Sequence, residues 1–173
     1  MKTSDLKHHE FNPYYKPYIE ALGEVDLLNT LKNQVHNYPQ FLASIPEDKL
    51  TYSYAKGKWT IAEILVHVLD SERVFQYRAL RFARNDNTPL PGFDQNVYVP
   101  FSGANSRSID KIIKEYKAVR KSTIALYETF DETILKRKGI ASNSPMSVAA
   151  LGFIMCGHQK HHRNIIRERY LKV

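Results

Sequence analysis

The residues best suited to chemistry lie near the C-terminus, in Gly157-His158-Gln159-Lys160-His161-His162. They sit in an apolar run, Val148 to Ile166, that has helical spacing. Helical positions four apart share a face, one turn above the other, so His158 and His162 form a pair. Leu151, Ile154, Met155, Ile165 and Ile166 share that face, which turns both imidazoles toward a core. Two neutral imidazoles in apolar surroundings suit a divalent cation, which satisfies ring nitrogens otherwise buried without partners. The structural alternative is a pair of hydrogen-bonded core histidines. His161 competes for the second place. At about 100° per residue, His162 is displaced from His158 by about 40° around the axis, and His161 by about 60° the other way. His162 also continues the stripe toward Ile165 and Ile166, so it is the expected partner, with His161 at the edge of the face.

An HxxxH pair supplies two ligands, and a third has to come from elsewhere. His67 is the other histidine beside a strong core-facing stripe. Its own alternative is again a satisfied core histidine. Cys156, the single cysteine, points off the face of the pair and reads as a small core residue. Among carboxylates, Asp70 follows His67 by three residues and could orient an imidazole as an acceptor. The competing reading is an ion pair with Arg73 or Arg78. Asp94, in a long loop, is the candidate for closing the coordination sphere.

The elements that position these residues are helices. Leu27, Leu28, Leu31, Val35, Tyr38 and Leu42 give a first helix from about 26 to 44, with Pro39 inside it as a kink or a missing hydrogen bond. Thr60-Ile61-Ala62-Glu63 is a capping box, flanked by Trp59 and Ile64 as a hydrophobic staple; it opens a second helix that ends near Arg84. Residues 85–107, with Pro89, Pro91, Gly92, Pro100 and Gly103, form a connection long enough to be a crossover or a lid. Its Pro89–Asp94 segment is expected to fold back and border the site. A third helix spans about 108–130. Ser144-Pro145 supplies the cap and first residue of a fourth, running to about Tyr170. Gly152 and Gly157 within it suit close approach of a neighbour. Residues 1–22, with Pro13, Pro17 and four aromatics, read as an extended arm laid over the body. No segment alternates convincingly with period two. The expected fold is a four-helix bundle with one long crossover.

At 173 residues and 43 % hydrophobic content the chain suits one globular domain. No apolar run reaches bilayer-spanning length, and Met1–Glu10 lacks a signal-peptide core. One cysteine excludes an intrachain disulfide, and with the polar N-terminus this fits the cytoplasm. The net charge of +7 is spread along the chain, which suits a solvated basic surface or collection of small anions rather than a nucleic-acid footprint.

Taken together, Lys58-Trp59-Thr60-Ile61-Ala62-Glu63-Ile64, His67 with Asp70 and Glu72, Pro89-Leu90-Pro91-Gly92-Phe93-Asp94-Gln95 and Gly157-His158 with His161-His162 resemble the DinB/YfiT-like superfamily, which includes the bacillithiol and mycothiol transferases. The resemblance covers about residues 25–170. It implies an up-down-down-up bundle, a zinc or nickel ion held by His67, His158 and His162, and in some members transfer of a low-molecular-weight thiol to an electrophile. It also implies a homodimer as a common assembly.

Three readings follow for function. Three neutral ligands would leave a divalent ion with open positions, where water or a thiol becomes a nucleophile near neutral pH. That suits a metal-dependent thiol transferase or a hydrolase, with a small-molecule thiol or electrophile as partner. The alternative is a non-enzymatic stress-response protein whose metal is structural or sensing; a fourth protein ligand such as Asp94 would favour it. DNA binding ranks last, because the chain has no helix-turn-helix, zinc-finger spacing or aromatic-basic platform.

Overall fold

The computed structural model describes residues 1–173. Its long helices are α2 (Leu27–Ala43), α3 (Ile61–Ala83), α5 (Ile109–Tyr127) and α7 (Val148–Ile165). Three shorter helices, α1 (Lys16–Glu20), α4 (Gln95–Tyr98) and α6 (Glu132–Leu135), sit in the arm and connections, with a hairpin of β1 (Lys138–Ala141) and β2 (Ser144–Ser147).

The caps follow local chemistry. Asp26 accepts from the Asn29 amide at the start of α2. At α3 the Thr60 amide donates to Glu63 Oε2 at 2.7 Å while the Glu63 amide donates to Thr60 Oγ1 at 3.1 Å, so two orphan donors are satisfied reciprocally. Pro39 is buried inside α2, and the helix runs through it unbroken.

Cross-helix pairs give the directions. Arg73 and Gln76 of α3 meet Glu115 and Ser122 of α5, later with later, so these helices are parallel. Lys32 and Gln34 of α2 meet Glu128 and Tyr116 of α5, earlier with later, so these are antiparallel. The start of α3 (Ile61, Leu65) clusters with Ile166 and Tyr170 beyond α7, while its end (Phe75, Phe82) clusters with Val148 and Ala149. The order is therefore up-down-down-up. Parallel α3 and α5 cannot be joined by a tight turn, which is why the connection after Arg84 is long: it runs back along α3 until Asn105 bonds Glu63 and Thr60.

The apolar core falls into two clusters, one at each end of the bundle. Between them lies a polar clamp. Arg120 of α5, fully buried, donates from Nε and Nη2 to the two oxygens of Glu72 on α3, at 2.7 and 2.8 Å. It also donates to Gln34 of α2 at 2.6 Å and to Gln159 of α7 at 2.9 Å. Thr123 and Tyr116 add bonds to Glu72 and Gln159. All four long helices are thereby tied to one guanidinium.

Three expectations are corrected. The arm is not extended: residues 3–15 form short 3-10 turns and α1 is helical. Ser144 and Pro145 do not open the last helix; they lie on β2, and Ser147 caps α7 by accepting from the Ala150 amide at 3.0 Å. The third helix ends at Tyr127, before Phe130. The hairpin escapes a hydrophobicity reading because β1 buries Gly139 and Ala141 while Ile140 faces out. A Cβ at Gly139 would meet the Phe82 ring at 2.1 Å, so that face has no room for a larger residue. Its turn places Ser142 and Asn143 at positive φ, the geometry of a tight two-residue hairpin.

Removing one partner of a buried ion pair leaves the other charge uncompensated, at a cost of about 3–5 kcal/mol. Glu72→Gln should therefore lose stability on that scale in urea denaturation. A loss within experimental error would mean that the helices do not depend on the clamp.

Candidate metal centre

On α3, His67, Ser71 and Phe75 recur at four-residue spacing, so they form one stripe facing α7. On α7, His158 and His162 answer it from the antiparallel helix. The Nε2 atoms converge: His67 to His158 and His158 to His162 are both 3.0 Å apart. Ligand atoms of all three lie within 4.8 Å of one another. Three nitrogens around a tetrahedral ion at about 2.05 Å would be roughly 3.3 Å apart, so small outward adjustments of the rings would seat a cation. The donor set fits as well, because neutral imidazoles suit zinc and nickel. Ser71 Oγ lies 3.4 Å from His67 Nδ1; an Nδ1 proton held there leaves Nε2 with its lone pair toward the cluster.

Burial keeps these rings neutral. Desolvation lowers the His67 pKa to about 4, and with the neighbouring His67 and His161 it lowers His162 to about 3. His158 is held well below the usual range, by burial first and then by the other histidines.

The cavity over the cluster is small, about 170 Å³. Its walls come from well-separated parts of the chain: Tyr14, Tyr15 and Tyr18 of the arm, Trp59 before α3, Phe75 of α3, Phe93 and Gln95 of the crossover, and Ser142 of the hairpin turn. The crossover does fold back to border the site, with Phe93 and Gln95, while the arm and Trp59 line it too. The hairpin supports this course, because Leu90 exchanges backbone bonds of 2.9 and 3.1 Å with Ile140 and Ser142. Gly157 lets the arm in: a Cβ there would lie 2.1 Å from the Tyr18 carbonyl oxygen. Tyr18 then packs edge-on against His158, at 5.6 Å, and His161, at 5.0 Å. Clefts of about 680 and 800 Å³ exist elsewhere, but neither holds a cluster of ligating groups.

Other candidates fall outside the cluster. Asp70 pairs with Arg73 at 3.5 Å and lines a separate groove with Val97 and Phe101, so it does not orient an imidazole. Asp94 is exposed and caps α4 by accepting from the Asn96 amide at 2.8 Å, so it offers no fourth ligand. His161 is half-buried at the rim. Cys156 is buried, and burial pushes its thiol up to about 12, away from the thiolate that a metal takes. The arm tyrosines, Phe75 and Ser142 were not singled out as site residues from sequence; the aromatic density of the arm was the available signal.

An up-down-down-up bundle with three histidines converging from its second and fourth long helices defines a recognisable class of helical proteins. Residues 30–166 match the family model of the DinB superfamily, and the chain belongs to that superfamily. A protein of Oceanobacillus iheyensis named as a candidate metal-dependent hydrolase is 23 % identical over 137 residues, 78 % of each chain. Among solved structures, YfiT from Bacillus subtilis, described as a probable metal-dependent hydrolase with an unusual four-helix bundle topology, superposes with a TM-score of 0.71 at 15 % identity, over 94 % of this chain and 90 % of its own. The mycothiol-dependent maleylpyruvate isomerase superposes with a TM-score of 0.68 at 11 % identity, over 95 % of this chain and 62 % of its own.

Two outcomes are expected. His162→Ala should lose most bound zinc or nickel in a metal-content assay, while His161→Ala keeps near-normal occupancy; the reverse would assign the ligand to the rim. In the metal-free protein, folded-state pKa values near 3 and 4 lie below the unfolded value of about 6.5. The unfolded chain therefore takes up protons first as pH falls, and stability should decline from about pH 6.5 toward 4. A melting temperature that stays level or rises across that window would contradict the buried neutral cluster.

Proposed function

We propose that the protein is a divalent-metal-dependent enzyme that transfers a low-molecular-weight thiol to a small electrophile, with zinc or nickel held by His67, His158 and His162. The observation that carries this reading is a three-histidine cluster with no fourth protein ligand, opening into an aromatic cavity that no carboxylate lines. A structural zinc site is normally closed by four protein ligands. A bound ion would bring coordinated water to a pKa of about 7 but would deprotonate a coordinated thiol outright, so with no carboxylate to act as base the thiol would be the more fully formed nucleophile at neutral pH.

The residues of the chain supply the rest. Ser71 Oγ, 3.4 Å from His67 Nδ1, would accept a hydrogen bond from that nitrogen and orient the ring when Nε2 serves the ion. Trp59, Tyr18, Phe75 and Phe93 exclude water from the reacting groups. Gln95 and Ser142 offer hydrogen-bonding groups to a substrate beside the aromatic part of the wall. A second reading, hydrolysis, is favoured by the names of the Oceanobacillus and Bacillus proteins.

The test is a turnover screen of metal-loaded protein against electrophiles, with and without added thiols. Activity should require the thiol, vanish on chelation and return with zinc or nickel. His67→Ala should fall to the chelated level while keeping its helical circular dichroism, because the apolar clusters do not include the ring. Thiol-independent turnover would favour hydrolysis. Melting on chelation without any turnover would instead mark a structural or sensing metal.

A further inference from the structure

Two arginines are fully buried in this fold, and only one is neutralised. Arg120 has Glu72, as described above. Arg78, 2 % exposed, pairs with no carboxylate at all. Its Nη2 donates to the Pro91 carbonyl and to Ser142 Oγ, each at 3.0 Å. Its Nη1 is buried with no hydrogen-bond partner. The remaining surroundings are aromatic: Phe75 at 5.7 Å and Phe93 at 5.9 Å from the guanidinium carbon, with the Tyr15 phenol close by. Burying a charge without a counter-charge is among the costliest arrangements a protein can hold, and cation–π contacts offset only part of it.

The position of this charge suggests its purpose. Arg78 continues the α3 stripe of His67, Ser71 and Phe75 and lies eleven residues beyond His67, roughly 16 Å along the axis. Long helical side chains lean back toward the preceding turn, and the guanidinium does so onto Phe75. Four of its neighbours, Tyr15, Phe75, Phe93 and Ser142, are themselves walls of the cavity over the histidines. Arg78 itself is not on the cavity wall; its charge stands behind Tyr15, Phe75, Phe93 and Ser142, on the side away from the cluster.

We infer that Arg78 is an anion-binding group directly behind this cavity, reached when Phe93 and Ser142 give way, and that the small molecule taken there carries a carboxylate, which the guanidinium fork grips while the opposite end faces the three histidines. A carboxylate matches the fork in shape and supplies the missing counter-charge and the partner for Nη1. Ser142 and Phe93 belong to a turn and a loop, so the covering groups lie on connections and not on the bundle helices. The inference deepens the proposed function and rests on it only for what happens at the far end of the ligand.

The probes are succinate and its neutral isostere succinamide, titrated at constant ionic strength into metal-free and zinc-loaded protein. The side-chain Nε–Hε resonance of Arg78 should shift saturably with succinate in both states and stay in place with succinamide. In calorimetry Arg78→Gln should weaken succinate binding by about tenfold or more, and Arg78→Lys, which keeps the charge and loses the fork, by less. An unmoved Arg78 resonance at millimolar succinate, or equal affinity in Arg78→Gln, would overturn the assignment and leave Arg78 as a tie between helix, loop and hairpin. Should Arg78→Gln fail to fold, the resonance in the unaltered protein decides alone. Succinate binding in a protein that turns over nothing would sink the thiol-transfer reading and leave this one standing.

Discussion

Everything in the bundle is referred to the ion pair of Arg120 and Glu72. Helices packed only through aliphatic side chains can slide or rotate with little penalty, because apolar contact is non-directional. A guanidinium that must satisfy Glu72, Gln34 and Gln159 together has far fewer solutions. The pair fixes the rotation of α3 and α7 about their own axes. Those rotations decide whether three imidazoles converge or point past one another. Glu72 lies five residues after His67, and Gln159 directly follows His158, so the clamp and the cluster are set by the same turns of helix.

Much of this was legible in the sequence. The capping box at Thr60 and the apolar stripes located the four helices, since 3.6-residue periodicity over long segments is a strong signal. The convergence of His67 with His158 and His162 followed from that phase together with the family resemblance. What stayed hidden is non-local or inverted. The hairpin hides because its buried face is Gly139 and Ala141, chosen for lack of bulk against Phe82. Glu72 stands in the family pattern beside His67, but no local pattern announces that it will meet Arg120, a charge on a different helix, in the core. Asp70 was attractive by spacing, yet three residues along a helix turned it toward Arg73 and away from the cluster.

The cavity itself illustrates how a helical scaffold acquires a specific interior. The bundle contributes the three histidines, Ser71 and Phe75. The other walls are brought by the arm, the segment before α3, the crossover and the hairpin turn. The length of the crossover is forced by the parallel placement of α3 and α5, and the same length lets it travel back past Arg78 to the mouth of the site. Topology and pocket are therefore not separate features. A bundle with tight turns throughout would have no crossover to bring Phe93 and Gln95 over its histidines.

The contact between Gly157 and the Tyr18 backbone has a bearing on how the protein matures. His67 and His158 are 91 residues apart in sequence, and the arm that roofs them docks on α7, far downstream. During synthesis the N-terminal segment leaves the ribosome long before its seat exists. Contacts of such sequence separation form late, because the closure entropy of the intervening chain has to be overcome first. The histidine cluster and its roof both wait for α7, so a site that joins the N-terminal arm to the last long helix is assembled in the final steps of folding and not piece by piece as the chain emerges.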